Sequence, residues 1–242
     1  MKKNILTLLK APRTKLAVLI DPDNQTENSL MALAEKIVNC KVDLILVGGS
    51  LLLDNHFEKT LSLLRAHITC PTVLFPGSNY QVSAQADAIL LLSLISGRNP
   101  EYLIGQHVVA APVIRESGLE VIPTGYMLID GGRVSTTSYM TQTVPIPYDK
   151  PDIAVATAMA GEMLGMQTIY LEAGSGARNA IPVEMLQAVR KNISIPIIAG
   201  GGIRTPEQAE ALAEAGADMI VVGNILEKQP ELLLEISLAV HS

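Results

Sequence analysis

The chain has 242 residues, 48% of them hydrophobic and 17% charged, with a formal net charge of −6. That composition supplies a sizeable core and excludes a disordered chain. An acidic balance without a Lys/Arg cluster excludes nucleic acid as the main partner, and no apolar run approaches the roughly 20 residues of a membrane span.

Eight short apolar runs rich in β-branched residues and Leu recur along the chain. They lie at 16–20, 44–47, 72–75, 88–92, 121–122 running on to 128, 168–171, 195–199 and 219–222. Most are apolar on both faces, as buried parallel strands are. Helical patterns lie between most of them. Residues 26–39 carry Leu30, Leu33, Ala34, Ile37 and Val38 at helical spacing. Residues 101–115 read as a weaker helix interrupted by Pro112. Residues 151–164 and 182–192 read as further helices. Thr205-Pro206-Glu207-Gln208 is a helix start: Thr caps, Pro fits the first turn, and Gln reaches back to the cap. Gly216 is the natural stop of that helix.

The interval 72–88 is too short for a full helix between the third and fourth strands. A faint echo links 32–50 with 211–224, each running from a helix end through a strand into a Gly-rich turn. Strand–helix alternation repeated about eight times favours a (β/α)8 TIM barrel over an open doubly wound sheet. The expected fold is that barrel in modified form, with one barrel helix missing or replaced by a loop. No linker divides the chain, so 1–242 reads as one domain. Cys40 and Cys70 lie in no CxxC and near no His pair, and read as structural thiols of a reducing compartment. The opening MKKNILTLLKAPRTK has too short an apolar run for a signal peptide. A cytoplasmic location is expected.

Active sites of such barrels form at the carboxyl ends of the strands, so the residues following each run carry the argument. After the first strand stand Asp21, Pro22 and Asp23; after the second, Gly48, Gly49 and Ser50; after the third, Pro76, Gly77, Ser78, Asn79 and Tyr80. The sixth is followed by Glu172, Ala173, Gly174, Ser175 and Gly176, the seventh by Gly200, Gly201 and Gly202, and the eighth by Gly223 and Asn224. Gly-rich loops let backbone N–H groups close around a phosphate, and the loops after strands seven and eight are this architecture's usual phosphate site. Tight βα turns would use the same glycines. Asp21 with the Ser50 hydroxyl could hold a hard cation such as Mg²⁺, and Asp21-Pro22-Asp23 could equally be an Asx turn capping the next helix. Glu172 ends a strand beside the phosphate loops, where an acid can take a proton from a substrate hydroxyl. The competing role for Glu172 is an ion pair with Arg178 or Arg204.

Ordered along the chain are LIDPD (19–23), VGGS (47–50), PTVLFPGS (71–78), GYMLIDGG (125–132), YLEAGSGA (170–177), AGGGIRTPEQA (199–209) and DMIVVGN (218–224). With these stretches the chain resembles the geranylgeranylglyceryl phosphate synthase (PcrB-like) family, and its longer YLEAGSG loop resembles that of the family's second group. The resemblance implies a prenyltransferase on a modified (β/α)8 barrel. The C3 hydroxyl of sn-glycerol 1-phosphate would attack C1 of a polyprenyl diphosphate, geranylgeranyl diphosphate above all, forming an ether and releasing pyrophosphate. It implies Mg²⁺ as cofactor, with Asp21 and Ser50 as its ligands. It places the glycerol phosphate at Tyr170, Leu171, Glu172, Ala173, Gly174, Ser175 and Gly176, together with Gly201, Gly202, Gly223 and Asn224. It also implies a homo-oligomer, dimer or hexamer. In some relatives a basic residue stands two positions before the metal Asp. Here that residue is Leu19, which leaves the phosphate to backbone N–H groups and Arg204.

A prenyl tail needs a long apolar groove. Leu74, Phe75, Leu91, Leu92 and Tyr126 are candidates for it, with buried core as the stronger competing reading for each, and Tyr126 and Ser78 are singled out as polar groups at the rim. A tail-carrying substrate also allows transient contact with a membrane surface. Two other readings stay open on the residues alone: another phosphosugar-handling TIM-barrel enzyme, an isomerase or lyase, and a non-catalytic phosphate-binding protein. No lysine ends any of the eight runs, which counts against a Schiff-base lyase.

Overall fold

The computed structural model describes residues 4–52 and 56–242; the first three residues of the amino-terminal stretch read above and 53–55 lie outside it. Eight parallel strands close into a barrel in sequence order. They are β1 (Lys15–Ile20), β2 (Leu44–Val47), β3 (Thr72–Leu74), β4 (Ala88–Leu94), β5 (Glu120–Leu128), β6 (Thr168–Glu172), β7 (Ile197–Gly200) and β8 (Met219–Val222). Ladders join each strand to the next and β8 back to β1.

The helices are α1 (Ile5–Leu9), α2 (Glu27–Asn39), α3 (Phe57–His67), α4 (Gln106–Ser117), α5 (Thr136–Thr141), α6 (Pro151–Met163), α7 (Val183–Arg190), α8 (Pro206–Glu214), α9 (Asn224–Lys228) and α10 (Leu232–Val240). No helix joins β3 to β4, as the short interval between those strands predicts. A π-helical turn, Glu101–Gly105, leads into α4. Pro112 does not interrupt α4, contrary to the sequence expectation. The carbonyl that Pro112 leaves without a donor belongs to Val108, which is exposed and can bond to water. The α8 start also differs slightly. Thr205 caps with Oγ1 on the Gln208 N–H, but the Gln208 carboxamide accepts from Arg204 N–H, one residue before the cap. Gly216 ends that helix with φ of +103°.

Alternation along each strand builds two cores. Outward residues such as Leu16, Val18, Ile45, Val47 and Ile197 pack under the helices. Inward ones such as Ala17, Leu44, Leu46, Leu90, Tyr126, Tyr170, Ile198 and Val221 fill the barrel. Each fully buried Leu or Ile contributes about 1.5–3 kcal/mol. Helix α1 plugs the amino-terminal end of the barrel through Ile5 and Leu9. Two charges clamp its ends. The Glu120 carboxylate accepts the N–H groups of Ile5 at 2.7 Å and Leu6 at 2.9 Å. The fully buried Lys15 ammonium donates to the carbonyls of Leu9 and Ala11. Both charges complement the helix dipole and satisfy groups that have no partner within the helix. Glu120→Ala should therefore destabilise the fold by about 1–2 kcal/mol in chemical denaturation, while Glu120→Gln recovers part of that loss.

Candidate active site

At the carboxyl end the strands open into a cavity of about 570 Å³. Among the predicted residues, Asp21, Ser50, Tyr126, Tyr170, Glu172, Ser175, Gly176, Gly201, Gly202, Gly223 and Asn224 line it. The Leu171 side chain packs in the outer core and Ala173 is buried there too, which is the consequence of strand alternation. Gly174 contributes through its N–H, which donates to Glu172 Oε1 at 2.7 Å. Ser78 lies outside this cavity, in the groove described below.

Glu172 ends β6 between Leu128 and Gly200, and is 5% exposed. No ion pair joins it to Arg178 or Arg204 among the described residues. Burial pushes its carboxyl up to about 7, against the opposing pull of the Gly174 N–H and the nearby Tyr170 hydroxyl. The Tyr170 hydroxyl is itself fully buried beside Glu172, and no partner among the described residues meets hydrogen-bond geometry with it.

The glycine triplet is there for this carboxylate as much as for any ligand. A Cβ on Gly200 would sit 2.4 Å from the Tyr170 hydroxyl, and one on Gly201 would sit 2.3 Å from Glu172 Oε1. Gly201 and Gly202 also take φ of +82° and +71°, which side-chain-bearing residues rarely adopt.

Asp21 makes the Asx turn that one of its sequence readings expects. Its Oδ1 accepts the Asp23 N–H at 3.2 Å and caps the short 3₁₀ turn Pro22–Asn24. The carboxylate nevertheless borders the cavity, and burial raises its pKa. A Cβ on Gly49 would come within 3.0 Å of it. Ser50 Oγ lies 2.9 Å from Thr137 Oγ1. The buried Gln81 ties the loops after β2 and β3 together: its Nε2 donates to Gly49 O at 2.8 Å, and its Oε1 accepts the N–H groups of Gly49 and Gly77. Asp21 and Ser50 both border the cavity with hard oxygen donors, the donor type that Mg²⁺ takes while keeping water and substrate oxygens. No cluster of three or more His, Cys, Asp or Glu with metal-binding geometry exists among the described residues.

Sequence reasoning missed Arg133, Thr137, Glu227 and Lys228, which also line the cavity. They stand on the β5–α5 connection, on α5 and on α9, away from the strand-end positions used to choose candidates. Arg204 reaches the rim but donates to the carbonyls of Ala177 and Arg178, whereas Arg133 donates to Gly176 O at 3.3 Å. Ser175 Oγ and Asn224 Oδ1, 3.0 Å apart, bridge the β6 and β8 loops.

A second, apolar groove adjoins the cavity on the side where the β3–β4 helix is missing. Phe75, Val82, Ile89, Leu91, Leu92, Ala110 and Ile114 are among its walls, and Ser78 lies on its edge. Leu74 is not among them; it is fully buried in the outer core. Tyr126 stands at the meeting of the two spaces. Its ring packs against Phe75 at 6.0 Å and Tyr170 at 5.4 Å, centroid to centroid.

Fold and site define a (β/α)8 barrel whose glycine-walled polar cavity opens into an apolar side groove. The model of the PcrB family matches residues 10–240, and the chain belongs to that family. The geranylgeranylglyceryl phosphate synthase of Chitinophaga pinensis is 54% identical over 226 residues, 93% of this chain and 90% of that protein. That of Spirosoma linguale is 50% identical over 229 residues, 95% and 92% of the two chains. The crystal structure of (S)-3-O-geranylgeranylglyceryl phosphate synthase from Thermoplasma acidophilum, in complex with its substrate sn-glycerol-1-phosphate, superposes with a TM-score of 0.93. It is 34% identical, and 99% of each chain is covered.

The Glu172 carboxyl binds its proton more tightly folded than unfolded, so its contribution to stability falls as pH rises from about 4.5 to about 7. Glu172→Gln removes that loss. Denaturation at pH 8 should show the variant more stable than the wild type by about 3 kcal/mol, with the difference vanishing near pH 4.

Proposed function

We propose that this chain transfers a polyprenyl group, geranylgeranyl by the relatives' name, from its diphosphate to the C3 hydroxyl of sn-glycerol 1-phosphate. The observation that carries this reading is the union of a glycine-walled polar cavity holding Glu172 with an apolar groove beside it. A small phosphate ligand needs only the first; a substrate with a long hydrocarbon tail needs both. The same observation disfavours a phosphosugar isomerase or lyase, and the names of the relatives agree with the choice.

The phosphate of the glycerol substrate lies against the backbone of Gly176, Gly202, Gly223 and Asn224, with Arg133 as the nearby cation. Its hydroxyl then reaches Glu172. The new bond joins that oxygen to C1 of the prenyl group as the C1–O bond to the diphosphate breaks, the electron pair leaving with pyrophosphate. The hydroxyl proton passes to Glu172, whose raised pKa suits a base near neutral pH. The unpaired Tyr170 hydroxyl is available to orient the glycerol. Phe75, Leu92 and Tyr126 hold the first carbons of the tail and exclude water from the reacting centre. Asp21 and Ser50 would hold Mg²⁺. Bound there, Mg²⁺ supplies neutralising charge for the diphosphate.

The reaction would run in the cytoplasm. No described helix is long and apolar enough to cross a membrane, and long-tailed substrate would be drawn from a membrane surface through the groove. A homo-oligomer is part of the reading. Its support is the outer face of α4 and the turn before it, where Ile104, Val108, Val109 and Val113 are each more than half exposed.

Incubation with sn-glycerol 1-phosphate, geranylgeranyl diphosphate and Mg²⁺ should yield an ether product and pyrophosphate, and a chelator should abolish both. Absence of product with every chain length tried would refute the assignment. Glu172→Gln should lower kcat about 100-fold or more while glycerol phosphate still binds. Light scattering should give a mass above one chain, and Val109→Asp with Val113→Asp should reduce it.

A further inference from the structure

Prenyl transfer requires one place where the charged diphosphate and its apolar tail part company. Among the described residues, five border both the polar cavity and the groove: Gly49, Ser50, Phe75, Tyr126 and Thr137. Only Ser50, Tyr126 and Thr137 bring side-chain hydrogen-bonding groups to that junction. Thr137 is the centre of the three. Its Oγ1 lies 2.9 Å from Ser50 Oγ, and the Tyr126 hydroxyl stands beside it.

Thr137 is also rigidly held. It is the second residue of α5, which begins with a complete capping box from Ser135 and Ser138. Its carbonyl accepts the Thr141 hydroxyl at 2.7 Å. The contact to Ser50 joins α5, which follows β5, to the loop after β2, so it spans the barrel mouth. No part of the glycerol-phosphate site described above needs Thr137, and valine would fill the same space without its hydroxyl.

Each hydroxyl carries one proton and can accept as well. When Thr137 donates to Ser50, the Ser50 proton is left to face the junction. We propose that Thr137 is a positioning residue for prenyl transfer: it aims the Ser50 hydroxyl at the diphosphate oxygen bonded to C1. That oxygen gains negative charge as the C1–O bond breaks, and a preset donor there favours the transition state over bound substrate. The Ser50 proton is shared in a hydrogen bond and not transferred; the proton released by the glycerol hydroxyl still goes to Glu172. The inference rests on the prenyl-transfer reading, and it assigns Thr137 a part in departure of the leaving group.

The test compares wild type, Thr137→Val and Thr137→Ser. Steady-state kinetics with geranylgeranyl diphosphate and sn-glycerol 1-phosphate are measured beside calorimetric titration with inorganic pyrophosphate and Mg²⁺. Thr137→Val should lower kcat about tenfold and weaken pyrophosphate about tenfold, the size of effect expected for a misaligned hydrogen bond to a charged group. KM for glycerol 1-phosphate should stay within about twofold, because the phosphate loops are untouched. Thr137→Ser, which keeps the hydroxyl, should restore both quantities. Wild-type kcat and pyrophosphate affinity in Thr137→Val overturn the proposal, as does a Thr137→Ser variant as impaired as the valine. If the wild type forms no ether, the prenyl-transfer reading fails by itself, and the pyrophosphate titrations still decide whether Thr137 serves that group.

Discussion

Glu172 carries a carboxylate into the barrel mouth with one backbone N–H bonded to it, and the neighbouring strand gives up its side chains to make room. Gly200 and Gly201 are bare where the Tyr170 hydroxyl and Glu172 Oε1 press against them. The same burial that crowds the site raises the acid to about 7. A carboxylate in water would be a poor base for a hydroxyl; one buried beside Tyr126 and Tyr170 holds a proton near neutral pH. The aromatic trio is a large share of a chain that has two Phe, six Tyr and no Trp. Its concentration at the barrel's upper end ties the acid's chemistry to the packing of the core.

The absent helix between β3 and β4 has the complementary role. In a regular barrel that helix would cover Ile89 and Leu91, the outward residues of β4. Without it they face a groove walled on the far side by Ala110 and Ile114 of α4. Gln81 keeps the shortened connection in place by bonding to Gly49 and Gly77. One omission thus turns the outside of a strand into a channel that opens into the cavity holding Glu172. Polar and apolar spaces share a wall, as a substrate with a charged head and a hydrocarbon tail requires.

How legible was this beforehand? The strands could be read because parallel strands buried on both faces are written as short apolar runs, and the end of each run named the rim. Thr205 and Gly216 marked α8 through local chemistry that no tertiary contact overrides. The failures have physical causes. Pro112 looked like a break, but an exposed carbonyl one turn earlier lets a helix continue through it. Leu74, Leu91 and Leu92 could each be read as groove or as core; strand alternation turns Leu74 into the outer core, while Leu91 and Leu92 reach the groove. Thr137 and Arg133 went unnoticed because they come from a connection and a short helix, where no periodicity flags a residue.

By itself the sequence determined a closed alternation of strands and helices, a rim of Gly, Ser, Asp and Glu, and the gap where a helix is missing. Those are local properties, set by hydrophobic period, turn chemistry and the length of the intervals. Tertiary structure alone decided that Glu172 is buried and free of an arginine partner, that the glycine triplet yields space to it, and that Ser50 meets Thr137 across the mouth. Such facts depend on which residues closure brings within a few ångströms, and residues 87 positions apart, like Ser50 and Thr137, carry no sign of each other along the chain.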